Sequence, residues 1–212
     1  MKEFLIEKWL PFDEVSAESI RERAASSALP PLYYLHVWFA RRPLLTSRAA
    51  VLLSLIQNKD EKKIWEILGL PVGKDVVGAR VKIEKARATG NRIKKNPLTW
   101  PHAYKHTPSK NEIEWLHNQI KENNKIPTVL DPMAGGGSIP YEAMRLGLPV
   151  ICNDLNPVAF ICLKATVEYP AKFREKLLPA VKDFCDEVHE KAKKELDKFF
   201  PTFVGEKIMT YI

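Results

Sequence analysis

The stretch TVLDPMAGGGSIPYEAMRLGLPVICNDLNP, residues 128–157, decides how the chain is read. Thr128-Val129-Leu130 is a short β-prone run that stops at Asp131-Pro132. Three glycines, Gly135-Gly136-Gly137, then precede a helical pattern that Ser138 opens and that ends near Gly147. Ser138 suits an N-cap, Pro140 is tolerated in a first helical turn, and Gly147 stands where a left-handed residue ends a helix. A second apolar run, Pro149-Val150-Ile151-Cys152, closes at Asn153-Asp154, and Asn156-Pro157 reads as the N-cap and first residue of another helix. The order is βαβα, which puts a ligand site at the carboxyl ends of two parallel strands.

Asp131 narrows the ligand. A dinucleotide-binding fold sets its first glycine directly after the strand, because the pyrophosphate must approach the backbone and the helix N-terminus, and a carboxylate there would repel it. Here the order is Asp131-x-x-x-Gly135-x-Gly137. A ligand without phosphate and with an ammonium group fits better, and S-adenosylmethionine is the common one. Asp154 follows Asp131 by 23 residues, at the end of the second strand, where a carboxylate can accept both ribose hydroxyls.

The run DPMAGGGSIPYEA resembles the cofactor motif DPxxGxG of amino-methyltransferases acting on nucleic acid, and NDLNP is similar to the acidic ribose-binding motif that follows it. Upstream, LHVWFARRPLLTSRAAVLLSLI resembles the amino-terminal signature of adenine-specific DNA methylases, a family described as containing a zinc ribbon. The resemblance implies that Asp131, Gly135 and Gly137 line the methionine part of the cofactor and that Asp154 holds the ribose. It extends the cofactor site to Pro132, Met133, Ala134, Gly136 and Ser138 on the loop, and to Leu155 and Asn156 after the acid.

Arg41-Arg42 precede Pro43, which can open a helix with Leu45, Ala49, Leu52, Leu53 and Ile56 on one face. Two cations at a helix start oppose its macrodipole, so something acidic should favour them. The cofactor carboxylate or a phosphate would do so, and the run resembles the basic-Pro motif that some methyltransferases carry near the cofactor; two solvated arginines at a loop edge remain the alternative.

The 212 residues suffice for a sizeable core, and 33 Lys and Arg against 26 Asp and Glu give a net charge of +7. That balance favours a polyanionic partner. Nine of the cations fall between residues 78 and 110 against the single acid Glu84, interleaved with Trp100, His102, Tyr104 and His106. Lys94, Lys95 and Lys105 are therefore candidate nucleic-acid contacts, with a solvated insertion as the alternative. Neither an apolar run of about 18 residues nor a leader is visible, so the expectation is a soluble, cytoplasmic protein with no membrane association. Cys152, Cys162 and Cys185 lack a CxxC pair, so they are expected to be reduced, and no metal site is expected.

Helices are expected at Ser16–Ala28, over residues 59–68, at Asn111–Lys121 and at Val158–Thr166, the last buried behind the sheet; a long amphipathic run at Ala171–Phe200 should break near Pro179. No polar-Pro-Pro-aromatic motif, which holds an exocyclic amine and stacks on the extruded base, occurs in the chain, so the catalytic residues are unknown. Phe203–Ile212 looks like a strand entering something more, and in the family the catalytic motif and zinc ribbon would come after it. The expected architecture is an α/β Rossmann-like methyltransferase core over residues 126–212, incomplete at its carboxyl end. A helical region over 1–56 and a basic insertion over 57–125 precede it. The expected role is the S-adenosylmethionine-binding part of a DNA amino-methyltransferase, for adenine N6 or cytosine N4, whose catalytic half is supplied in cis or in trans. This chain alone should be inactive. RNA or protein methylation, or a non-catalytic nucleic-acid-binding scaffold, are the other readings.

Overall fold

Leu45, Ala49, Leu52 and Leu53 recur at helical spacing, and the helix they build, α3 (Leu44–Leu53), is the most deeply buried element of a computed structural model that describes residues 3–24, 29–120 and 125–199. The chain divides into two units, Met1–Glu168 and Tyr169–Ile212.

In the first unit, α1 (Phe12–Arg23), α2 (Leu32–Leu35), α4 (Glu61–Leu68), α5 (Val76–Ala88) and α6 (Lys110–Ile120) precede the strand β1 (Val129–Asp131). The helix α7 (Ser138–Arg145), the strand β2 (Val150–Cys152) and the helix α8 (Pro157–Leu163) follow. The strands pair in parallel, Val129 with Val150, Leu130 with Ile151 and Asp131 with Cys152, as the βαβα reading requires. Among the described residues the fold is thus mainly helical around a two-stranded parallel sheet. One apolar core joins Leu52, Ile64, Ile67, Leu116 and Leu146, so α3, α4, α6 and the end of α7 share an interior with the sheet. Among the described residues, no helix is long and apolar enough to cross a membrane.

Several boundaries depart from expectation for identifiable reasons. The first helix begins at Phe12 instead of Ser16, with Asp13 and Glu14 in its first turn, where acids complement the helix dipole; residues 25–28 of the expected span lie outside the described residues. Gly137, at φ +85°, is the N-cap of α7, and Ser138 is its first residue, with no side-chain cap. Asn156 caps α8 through Oδ1 to the Val158 amide, as its type suggests. The expected fully buried helix after it is only part-buried: Ala159, Cys162 and Leu163 face inward while Val158, Phe160 and Ile161 are exposed, and α8 passes into a π turn at Lys164–Glu168. Part of the basic stretch, unassigned from sequence, is the regular helix α5, capped by Asp75 and packed on α1.

The second unit contains α9 (Tyr169–Phe173) and α10 (Leu177–Leu196). The expected break at Pro179 is absent, because Pro179 is the third residue of α10, where its missing N–H has no helical partner to lose. The interruption falls instead at Arg174, whose φ of 49° is left-handed. The apolar side of α10, with Val181, Phe184 and Val188, is exposed. The expected strand at Phe203–Ile212 lies outside the described residues.

Candidate functional site

The two strands end side by side, and the loops that leave them are tied together. Asp154, after β2, accepts the Gly135 amide on Oδ2 and the Asn156 amide on Oδ1, both at 2.8 Å. The Ala134 amide donates to the Asn153 carbonyl at 3.0 Å. The Asn156 amide first, and then the Gly135 amide, hold the Asp154 carboxyl below the usual carboxylate range, so it is an anion fixed by backbone donors with its remaining lone pairs open to solvent.

These loops form one wall of a pocket of about 280 Å³. Met133, Ala134, Gly135, Gly136 and Ser138 line it with Asp154, and Arg41 and Arg42 line it from the segment before α3. Pro43, Asp131, Pro132, Gly137, Leu155 and Asn156, also expected at the site, are not part of this lining. Asp131 is buried; its Oδ1 accepts the Met133 amide at 3.2 Å, and its Oδ2 has no hydrogen-bond partner.

Trp38 completes the wall. Its indole lies against the glycine loop so closely that a Cβ on Gly135 would come within 2.6 Å of Nε1, and one on Gly136 within 2.8 Å of the Trp38 Cβ. Glycine is required at both positions by this approach, and at Gly135 also by a φ of +54°. Beneath the arginines, Tyr33 is buried; its hydroxyl donates to the Arg42 carbonyl at 3.0 Å, and its ring lies 5.6 Å from the Arg41 guanidinium carbon. Burial is the chief reason that the Tyr33 hydroxyl is pushed up to about 12.

The support behind the pocket is ionic and buried. Arg48 of α3 reaches Glu142 of α7 and also donates to the carbonyls of Ile67, Leu68, Ala103 and His106. Arg145 holds the other oxygen of Glu142 at 2.7 Å. Trp38, Tyr33 and Arg48 escaped the sequence reading as site or support residues. A signal for Arg48 was present: it falls three residues after Leu45 and four before Leu52, on the apolar face of α3.

Lys94, Lys95 and Lys105 are all exposed. The aromatic residues interleaved with them are not a free surface. Trp100 donates from Nε1 to Glu18 at 2.9 Å, its carbonyl accepts from Arg21, and Tyr104 is buried with Leu32, Tyr33 and Leu44. Tyr104 therefore offers no face to a base, and Trp100 is half-buried with its indole N–H held by Glu18.

Residues 109–202 match the family of D12 class N6 adenine-specific DNA methyltransferases, which bears out the resemblance to adenine-specific DNA methylases. Residues 9–67 match a family described as protein of unknown function (DUF1156). No curated protein and no solved structure matches the chain. The methyltransferase match covers both strands, the glycine loop and Asp154; it supports a DNA methyltransferase, implies S-adenosylmethionine as methyl donor and implies DNA as substrate.

Proposed function

We propose that this chain is the S-adenosylmethionine-binding part of a DNA amino-methyltransferase, acting on adenine N6 or cytosine N4, and that its core is one portion of a Rossmann-like sheet. The observation that carries the reading is the pocket at the carboxyl ends of β1 and β2, where a glycine loop, a half-buried carboxylate and two arginines converge. The donor set fits that cofactor. Asp154 offers open lone pairs to ribose hydroxyls, the orphaned Oδ2 of Asp131 lies buried at the base of the loop, and Arg41 and Arg42 offer donors to a carboxylate.

When bound, the cofactor supplies a methyl group on a sulfonium sulfur for in-line attack by a base amine. The residues of this chain orient it. The Gly135 and Asn156 amides fix Asp154 in one rotamer, and Trp38 excludes water from one side of the loop.

Holding the acceptor amine falls to other residues, since no polar-Pro-Pro-aromatic motif occurs here. The sheet supports a second contributor. Leu130 and Ile151, partners across β1 and β2, are 65% and 60% exposed, and the sheet, two-stranded among the described residues, is marginal by itself with an apolar face in water. In this reading a carboxyl-terminal catalytic half, in cis or in trans, brings further strands and the amine-binding motif. The test is transfer of a labelled methyl group to mixed-sequence DNA and RNA. The chain alone should give none, several powers of ten below the rate with the catalytic half added. Robust transfer by the chain alone would place the catalytic residues within it and overturn the division of labour.

A further inference from the structure

From α2 to the start of α3 the chain runs past the glycine loop, and its side chains part in two directions. Tyr33 and Trp38 turn inward, as described above. Tyr34 and Phe39 turn outward, 70% and 89% exposed, with Leu35 and Val37 also in solvent. Single exposed apolar residues are ordinary, but four within six positions form a patch. It is held in place: the Phe39 ring stands edge-on to Trp38 at 5.6 Å between centroids, and Trp38 itself rests on the glycines.

The charge beside this patch is positive. Arg41 and Arg42 are exposed, and no carboxylate lies within ion-pair distance of either among the described residues. Rings presented next to guanidinium groups suit a single-stranded nucleic acid, whose bases stack on the rings and whose phosphates meet the cations. A protein partner docking through apolar contacts alone would leave both guanidinium groups unpaired. The position adds a reason: an exocyclic amine reaches a methyl donor only after its base has left the duplex stack, so unpaired nucleotides must be accommodated at the mouth of the pocket.

We propose that Tyr34 and Phe39, with Arg41 and Arg42, form a landing surface for an unpaired stretch of the DNA strand at the mouth of the pocket. This rests on the reading of the pocket as the cofactor site and of DNA as the substrate. Each guanidinium has five N–H donors, so contact with the cofactor carboxylate and with a phosphate are compatible.

The test is fluorescence anisotropy with a short labelled single-stranded deoxyoligonucleotide and with the same strand fully paired. The full chain is compared with Phe39→Ala, Tyr34→Ala and Phe39→Trp, while binding of S-adenosylhomocysteine is followed by calorimetry. Neither residue lines the pocket, so cofactor-product affinity should stay unchanged in all three variants. Each alanine should weaken single-strand binding about tenfold and leave duplex binding nearly unaltered, and Phe39→Trp should keep parental affinity. Unchanged single-strand affinity in both folded alanine variants overturns the proposal. So does a concentration-dependent self-association of the parent that Phe39→Ala abolishes, since that assigns the patch to a second copy of the chain. A parent that fails to bind S-adenosylhomocysteine but keeps the ring-dependent strand affinity overturns the role of the pocket and leaves the surface standing.

Discussion

Arg48 on α3 donates through Nε to Glu142 Oε2 on α7 at 2.6 Å, and both side chains are wholly withdrawn from solvent. A buried pair gives little net stability over an apolar pair, but removing one partner strands the other charge away from water. Glu142→Ala should destabilise the chain by roughly 3–5 kcal/mol in urea titration. The same titration on Glu187→Ala, which breaks the exposed pair with Lys191 on α10, should show no more than about 1 kcal/mol. Equal effects would mean that the α3–α7 contact does not depend on the buried charges.

The carboxyl group of Glu22 is buried and placed to respond to pH. It accepts the Leu44 amide at 2.9 Å while its second oxygen has no partner, and desolvation pushes it up to about 7 from an ordinary value of 4.5. A carboxyl raised in the folded state binds more protons folded than unfolded, so its stabilising contribution is full below about 4.5 and lost as pH rises through about 7. Glu22→Gln should remove this dependence. The difference in stability between variant and parent should grow between pH 5 and 8 by at most about 3 kcal/mol, read from urea midpoints across that range. A constant difference would mean that Glu22 titrates normally.

The fit of Trp38 on the glycine loop gives a coupled pair of mutations. Gly136 has no left-handed backbone requirement, so Gly136→Ala acts chiefly through the collision with Trp38. It should lower stability and cofactor-product affinity, and Trp38→Gly in the same chain, which removes the Cβ that the new methyl would meet, should recover part of the loss, with a coupling of roughly 0.5–3 kcal/mol in a double-mutant cycle. Simple additivity would show that Trp38 and Gly136 do not touch in solution.

Lys94, Lys95 and Lys105 carry the reading of the basic stretch as a phosphate surface. Neutralising all three should flatten the slope of log affinity for duplex DNA against log salt by roughly 2 to 3 units. An unchanged slope would return them to solvated surface charges.

The strand–loop–helix core was legible in the sequence because local chemistry carries it. Glycines at positive φ, Asn156 as a cap and alternate apolar runs act within a few residues of one another, and the parallel pairing of Val129 with Val150 follows from them. Long-range chemistry was hidden. Trp38 lies almost a hundred positions before Gly135, and no periodicity links them; Arg48 shares a helix face with apolar residues, and nothing near it in sequence points to its partner Glu142. The basic stretch misled in the opposite way, since Trp100 and Tyr104 share its composition but are drawn inward by Glu18, Arg21 and the α2–α3 core. Pro179 is tolerated because it falls in the first turn of α10, and where that helix starts is not marked by a capping residue.

Calorimetric titration of the purified chain with S-adenosylhomocysteine tests the central claim most directly, with NAD as the control ligand and Asp154→Ala as the control protein. The account predicts saturable one-site binding of the product, at least about tenfold weaker in a folded Asp154→Ala variant, and no binding of NAD. Tight NAD binding, or an affinity for the product that Asp154→Ala leaves unchanged, would contradict it.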